Sequence, residues 1–323
     1  MNESELYKAT KERALFGAYL FHGAEELTKS EAVERIRALL EPDVRDLNLE
    51  TLTNPAPSEL LQSCDRLPFF DLQRLIIVKD WGTELADAVA DRLEELAEGV
   101  ILLFVRRGEE KRNSKLYRSL DARNRVVNFE ALTFERAVSM VTREAALRRV
   151  ELPRPVANKL VTMVGLDAYR LRNECSKAAD YVGRGNTISE QSLNAAVTPS
   201  PEYDVFVMLN RLLSGNKRAG LRLLKGMLNQ GEPPLSIAYF LEGRLRLMLH
   251  AKELQKAGVS EAEAVKRLGG SPYAAKMAYQ NAKTQDEGKL KAAVIALAEV
   301  DLKLKQGLQR EEDSLALAVL RCF

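Results

Sequence analysis

The chain has 323 residues, 46% hydrophobic and 29% charged, with 18 Gly, 11 Pro and three Cys. This composition excludes collagen-like, low-complexity and disulfide-stapled classes, and the length calls for two or three domains. No stretch reaches the roughly 18 uninterrupted apolar residues of a membrane helix, and the opening MNESELYKATKER is polar where a secretion signal would be apolar, so a cytoplasmic protein with no membrane partner is expected.

The net charge of +2 hides an uneven distribution. Residues 1–140 carry 20 Lys and Arg against 26 Asp and Glu, a net −6. Residues 141–200 carry 9 against 6 (+3), and residues 201–323 carry 19 against 14 (+5). An acidic front and a basic back argue against uniform coating of nucleic acid and suggest different partners for different segments.

From the N-terminus, short apolar runs at Ala18–Phe21, Asp46–Leu52, Leu75–Val78, Val100–Val105 and Arg125–Phe129 predict strands. Between them, three-and-four apolar spacing predicts helices over Leu27–Leu40, Ser58–Arg66, Thr83–Ala97 and Asn113–Leu120. Five strands alternating with helices imply a parallel sheet covered on both faces, which the unbroken LIIV and VILLFV suit. Strand signals all but stop after Phe129. Helices follow over Phe134–Arg149, from Pro153 and Pro155 through Met163, and over Asp167–Tyr181, with a short one opened by Ser189. TPSPEY, with Pro199 and Pro201, is the clearest linker. About five further helices follow, divided at Gly215, Gly231 with Pro233 and Pro234, Gly258, Gly269–Pro272 and Asp286–Gly288, as in a helical bundle.

Chemistry that needs particular residues finds little support. His22 and His250 are the only histidines, neither has a His or Cys at ligand spacing, and there is no G-x-S-x-G, so neither a metal site nor a nucleophile elbow is expected. Cys64, Cys175 and Cys322 are odd in number and far apart, which suits small buried hydrophobes. The turn after the first strand, Gly23-Ala24-Glu25-Glu26-Leu27-Thr28-Lys29-Ser30, keeps the first Gly, the Lys and the Ser of a phosphate-binding loop. Thr28 stands where the second Gly should be, and two carboxylates would repel an anion at the helix N-terminus. The third strand ends in Lys79, with Asp80 one residue late for holding Mg²⁺. Gly23, Lys29 and Ser30 therefore read as a degenerate P-loop, with no cofactor and no intrinsic ATPase, and Lys29 and Ser30 as ordinary first-turn helix residues.

Ahead of the third strand, Leu67, Pro68, Phe69, Phe70 and Leu72 crowd apolar groups between charged neighbours. Two readings are open: both rings tuck under the sheet, or they form an exposed wedge of the kind that makes protein–protein hot spots. Arg106, Arg107, Lys111, Arg112 and Lys115, with Arg118, cluster after the fourth strand and are candidates for DNA phosphates, as are the basic helices of the C-terminal part. Aromatic interleaving is thin, at Tyr117, Tyr273 and Tyr279.

Taken in order and spacing, Tyr19–Glu25, Leu67–Phe70 with Arg74–Lys79, Leu171–Lys177 with Tyr181, and Asp301–Gly307 resemble the delta-subunit family of the bacterial DNA polymerase III clamp loader, over essentially the whole chain. The resemblance implies an AAA+-like α/β domain without a working P-loop (residues 1–140), a small helical lid (141–205) and a helical collar (206–323). It implies a non-catalytic subunit that binds the sliding clamp and holds its ring open for loading onto primed DNA. Motor and delta-prime type subunits would join through the collar and ATP would turn over in sibling subunits. The family's clamp-contacting apolar pair falls on Pro68 and Phe69 by position, within Leu67–Phe70, and favours the exposed-wedge reading. The alternatives are an active AAA+ ATPase of the clamp-loader or initiator type, against which Thr28, Lys79 and the lack of a Ser-Arg-Cys motif weigh, and a helical scaffold with no replication role.

Overall fold

Apolar runs bracketed by turn residues become strands, and in the computed structural model, which describes residues 1–305 and 311–322 apart from 91, 94, 270 and 271, five of them share one sheet. The chain divides into two compact units, Met1–Leu132 and Thr133–Phe323.

The first unit runs α1 (Glu3–Lys11), β1 (Gly17–His22), α2 (Glu26–Arg37), a 3-10 turn (Pro42–Val44), α3 (Arg45–Asn48), β2 (Leu49–Thr53) and α4 (Pro57–Cys64). It continues with β3 (Arg74–Lys79), α5 (Thr83–Ala90), β4 (Val100–Val105), α6 (Lys115–Asp121) and β5 (Val126–Asn128). All pairings are parallel, in the order β2-β3-β4-β1-β5. Alternate residues feed two cores. Leu20, Ile76, Val78, Leu102 and Phe104 pack with residues of α4, α5 and α6 on one face, and Tyr19, Phe21, Ile77, Ile101 and Leu103 pack with Leu6, Ala32 and Ile36 of α1 and α2 on the other. Covering both faces is why the central strands are apolar throughout.

Three elements differ from expectation. α1, where no helix is expected, packs Leu6 into the core and is fixed by a capping box, in which Asn2 accepts from Glu5 N and Glu5 accepts from Asn2 N. The run from Asp46 begins as helix α3, because the Asn48 side chain donates back to Val44 O, and β2 starts only at Leu49. The helix expected to Ala97 is assigned only to Ala90, beyond which turn-type bonds run from Arg92 N to Val89 O and from Glu95 N to Arg92 O, and Ala97 N is drawn onto Cys64 O at the end of α4.

In the second unit α7 (Phe134–Leu147), α8 (Arg154–Val164), α9 (Ala168–Val182) and α10 (Glu190–Ala196) form one group. Residue 140 lies inside α7, while the division between the units runs between 132 and 133. TPSPEY is a packed turn, because Ser200 N donates to Met163 O, Thr198 N donates to the Glu174 carboxylate, and Ser200 caps the next helix. Seven helices follow among the described residues: α11 (Pro201–Leu213), α12 (Lys217–Asn229), α13 (Pro234–Lys256), α14 (Glu261–Leu268), α15 (Pro272–Thr284), α16 (Glu287–Lys305) and α17 (Glu311–Cys322). They share one core around Leu209, Leu241, Leu245 and Leu315. The expected breaks fall where Gly and Pro place them, with Gly270 and Ser271 outside the described residues. Gln306 and Gly307, the end of the last resembling segment, lie outside them too. Among the described residues no helix is long and apolar enough to cross a membrane. Cys64 and Cys175 are buried free thiols whose pKa burial pushes up to about 12, so they behave as hydrophobes.

Candidate functional site

Parallel strands place the loops that follow them along one edge of the sheet and the loops that precede them along the other. The P-loop-like turn from Gly23 to Ser30 follows β1, and the apolar stretch precedes β3, so the two candidate features sit at opposite edges.

At the carboxyl edge, the groups that would hold a phosphate are satisfied from within. Gly23 adopts φ +109°, and a Cβ there would lie 2.3 Å from Phe129 O. That close approach explains the glycine without any ligand. Glu25 is buried as the N-cap of α2, and its Oε1 accepts from Leu27 N at 2.8 Å and Thr28 N at 3.4 Å. A carboxylate of the chain thus sits where an anion would meet the helix N-terminus. Lys29 is no ordinary first-turn residue. It is 1% exposed, and its Nζ donates to Gly23 O (3.0 Å), Arg106 O (2.7 Å) and Glu26 Oε1 (2.7 Å). Glu26 Oε1 also accepts from Gly108 N at 3.1 Å. Lys29 therefore ties the turns after β1 and β4 together, while Ser30 faces solvent.

The neighbouring positions are equally committed. Lys79 ends β3 exposed, and Asp80 follows in the left-handed region at φ +50°. The Arg106 guanidinium lies 4.0 Å over the Trp81 ring, and its Nε donates to Glu110 at 2.6 Å. Arg106 therefore serves the fold. Arg107, Lys111, Arg112 and Lys115 are exposed, the last at the start of α6. Lys111 and Lys115 line an open cleft of ≈ 1230 Å³ with Trp81, Glu109 and Glu110. Of the candidate stacking aromatics, Tyr117 packs on the His22 ring at 5.5 Å, Tyr279 is buried with its hydroxyl donating to Val259 O, and Tyr273 rests on Phe206. No metal-binding group of three or more His, Cys, Asp or Glu occurs among the described residues.

At the amino edge the apolar stretch is exposed. Relative exposures are 67% for Leu67, 51% for Phe69, 84% for Phe70 and 80% for Leu72, with Pro68 half-buried. The Phe69 and Phe70 rings meet edge to face at 4.6 Å. The rings do not tuck under the sheet because the backbone beneath them is pinned. Asn48, fully buried, accepts from Phe69 N at 2.7 Å and donates to Phe69 O at 2.8 Å, closing the two bonds of a strand pair with one side chain. Asp71 accepts from Leu72 N, Gln73 N and Glu41 N. Below, Arg74 is buried between Leu47 O and Glu50, and Glu50 also accepts from Ser63 of α4. Gly99 closes the other side, since a Cβ there would lie 2.6 Å from Leu72 O and 2.8 Å from Pro68 Cγ. Phe70 itself is left-handed at φ +49°, a conformation that costs about 1–2 kcal/mol for a residue with a Cβ. Neither Asn48 nor Glu25 carries a sequence signal for these roles. Asn48 acts 21 positions away, and Glu is not a preferred N-cap.

Comparison with known proteins finds two family matches, "DNA polymerase III, delta subunit" over residues 19–130 and "DNA polymerase III delta subunit, C-terminal domain" over residues 202–322. The chain is 20% identical to the DNA polymerase III subunit delta of Bacillus subtilis (strain 168), across 98% of this chain and 96% of that protein. In structure it is similar to the Bacillus subtilis DNA clamp loader delta protein, with a TM-score of 0.63 at 19% identity, covering 99% and 98% of the two chains. It is more distantly similar to the Thermotoga maritima RuvB Holliday junction branch migration motor, with a TM-score of 0.39 at 10% identity over 64% of this chain and 72% of that one.

Lys29→Met leaves the Gly23 and Arg106 carbonyls without their donor and is expected to cost about 2–4 kcal/mol in urea unfolding, and unchanged stability would refute the structural role of the ammonium. His22 is 1% exposed, and burial, opposed by Glu109, lowers its pKa. The unfolded chain therefore takes up this proton first as pH drops through about 6.5, and stability falls. Comparing urea midpoints near neutral pH and about one unit below that pKa, His22→Gln should lose less than the unsubstituted chain.

Proposed function

Because the chain belongs to the delta-subunit family of the DNA polymerase III clamp loader, we propose that it binds the sliding clamp through Leu67, Pro68, Phe69 and Phe70 and holds the ring open at one interface. It does so without turning over ATP, which sibling motor subunits hydrolyse. Within this reading the first unit is the AAA+-like domain, α7–α10 serve as the lid, and α11–α17 form the collar that meets motor and delta-prime type subunits. The assembled loader places the clamp on primed DNA in the cytoplasm, and Arg107, Lys111, Arg112 and Lys115 are our candidates for its phosphates.

The observation that carries the proposal is the pinned, exposed aromatic pair at the amino edge. Burying a Phe or Leu side chain is worth about 1.5–3 kcal/mol, so Leu67, Phe69 and Phe70 together hold enough to make a hot spot. A wedge shifts a ring from closed to open only by its difference in affinity for the two states. Rings fixed in place serve that end, because little of the contact energy is lost to ordering the loop.

Phe69→Ala combined with Phe70→Ala is expected to abolish co-elution with the clamp in gel filtration while leaving circular dichroism and assembly with the sibling subunits intact. An undiminished complex would sink the assignment. Asn48→Ala keeps both rings and releases their backbone, so clamp affinity should fall by about tenfold, the equivalent of one or two lost hydrogen bonds.

A further inference from the structure

Cations on the helix surfaces of this protein are often neutralised within their own helix. Arg35 pairs with Glu31, Arg148 with Glu144, Arg246 with Glu242, Arg267 with Glu263 and Lys291 with Glu287, each four residues apart. Helix α12, KRAGLRLLKGMLN, departs from this habit. It carries Lys217, Arg218, Arg222 and Lys225 and no carboxylate. All four are exposed, and none makes an ion pair or side-chain hydrogen bond among the described residues.

The packing of α12 fixes which way these charges face. Gly220, Leu224 and Met227 are buried, the latter two in the core of the helical bundle. At 100° per residue Arg218, Arg222 and Lys225 fall opposite that buried side, in one row at spacings of four and three. The axial steps are about 6 and 4.5 Å. Like charges at these spacings repel one another, so the row favours an anionic occupant that an ordinary mixed surface would not require.

The chemistry of that occupant is set by what the face lacks. No large apolar or aromatic side chain is exposed on α12, so the anchors of a protein hot spot are missing. Its apolar side is spent on the bundle core, so it has no face to insert into a lipid surface. Base stacking is likewise unavailable. What remains is a line of cations suited to a regularly charged backbone, which nucleic acid supplies at one phosphate per nucleotide of each strand.

We propose that the Arg218–Arg222–Lys225 face of α12 is a sequence-independent contact for the phosphate backbone of DNA. The choice of DNA rests on the clamp-loading reading, whereas the charge row does not. The test is fluorescence anisotropy of the full chain with a labelled primed duplex, over a salt series of about 50–200 mM. Three proteins are compared: the unsubstituted chain, the row variant R218Q/R222Q/K225Q, and a control, R35Q/R246Q/R267Q, that removes the same charge from paired positions. The row variant should bind at least about tenfold more weakly at the lowest salt, with a log–log salt slope shallower by about 2.7 for three lost phosphate contacts. The control should match the unsubstituted chain. Equal slopes, an equal loss in the control, no binding by the unsubstituted chain, or tighter sedimentation with phosphatidylserine vesicles than with DNA would each overturn the proposal. Clamp co-elution on the same preparations separates the two readings. A row variant that keeps the clamp is folded and isolates the DNA contact, whereas failure of the unsubstituted chain to bind clamp sinks the wedge and leaves the salt slopes to be read on their own.

Discussion

A parallel sheet gives a protein two chemically different edges, and the arrangement of this molecule follows from that constraint. With every strand running the same way, the loops that leave β1, β3 and β4 gather at the carboxyl edge, where backbone N–H groups and a helix N-terminus favour anions. The loops that enter the strands gather at the other edge, with no such bias. Strands of six residues separate the two by about 20 Å. The turn after β1 can therefore be filled by the chain's own side chains while an exposed apolar tip forms at the opposite end.

At the carboxyl edge, groups that a phosphate-binding loop keeps for its ligand are bonded within the chain. In a working phosphate-binding loop the helix N–H groups and the lysine await an external anion. Here Glu25 meets the N–H groups, and Glu26 with two backbone carbonyls meets Lys29. The charges that would repel a nucleotide are thus the ones that stabilise this turn, because a buried ammonium without partners would be strongly unfavourable. Thr28 fits here for the same reason, since its N–H is met by the Glu25 carboxylate and needs no phosphate. Arg106 turns its charge to Trp81 and Glu110 in the same way, so its guanidinium is committed within the fold.

Much of the fold was legible in the sequence because its signals are local. LIIV and VILLFV read as central strands since burial on both faces admits little else, and helix ends fell at Gly and Pro. Failures came where local and tertiary demands diverge. The Thr83–Ala97 pattern continues past Ala90, but contact with Cys64 turns the chain away. Lys29 looked like an ordinary first-turn helix residue because nothing in its neighbourhood announces that Arg106 O, 77 positions on, would accept a hydrogen bond from it. The residues of Leu67–Phe70 alone left two readings open, since hydrophobic content does not say whether a ring faces inward, and only the family resemblance favoured the exposed one. That was decided by Asn48, whose one side chain occupies both backbone groups of Phe69.

The strain at Phe70 bears on how such a tip could act. A left-handed aromatic residue beside solvent is unfavourable on two counts, backbone conformation and exposed apolar area, and it persists because Asn48 and Asp71 hold the backbone on either side. A partner that buries the rings recovers the second cost without requiring the first to be relieved. A flexible loop with the same residues would lose rotational freedom on docking and return less of its contact energy. If the tip acts on a ring-shaped clamp as proposed, only the part of the binding energy that differs between the ring's closed and open states counts. A stiff tip keeps that difference large, because it does not adapt to both states equally well.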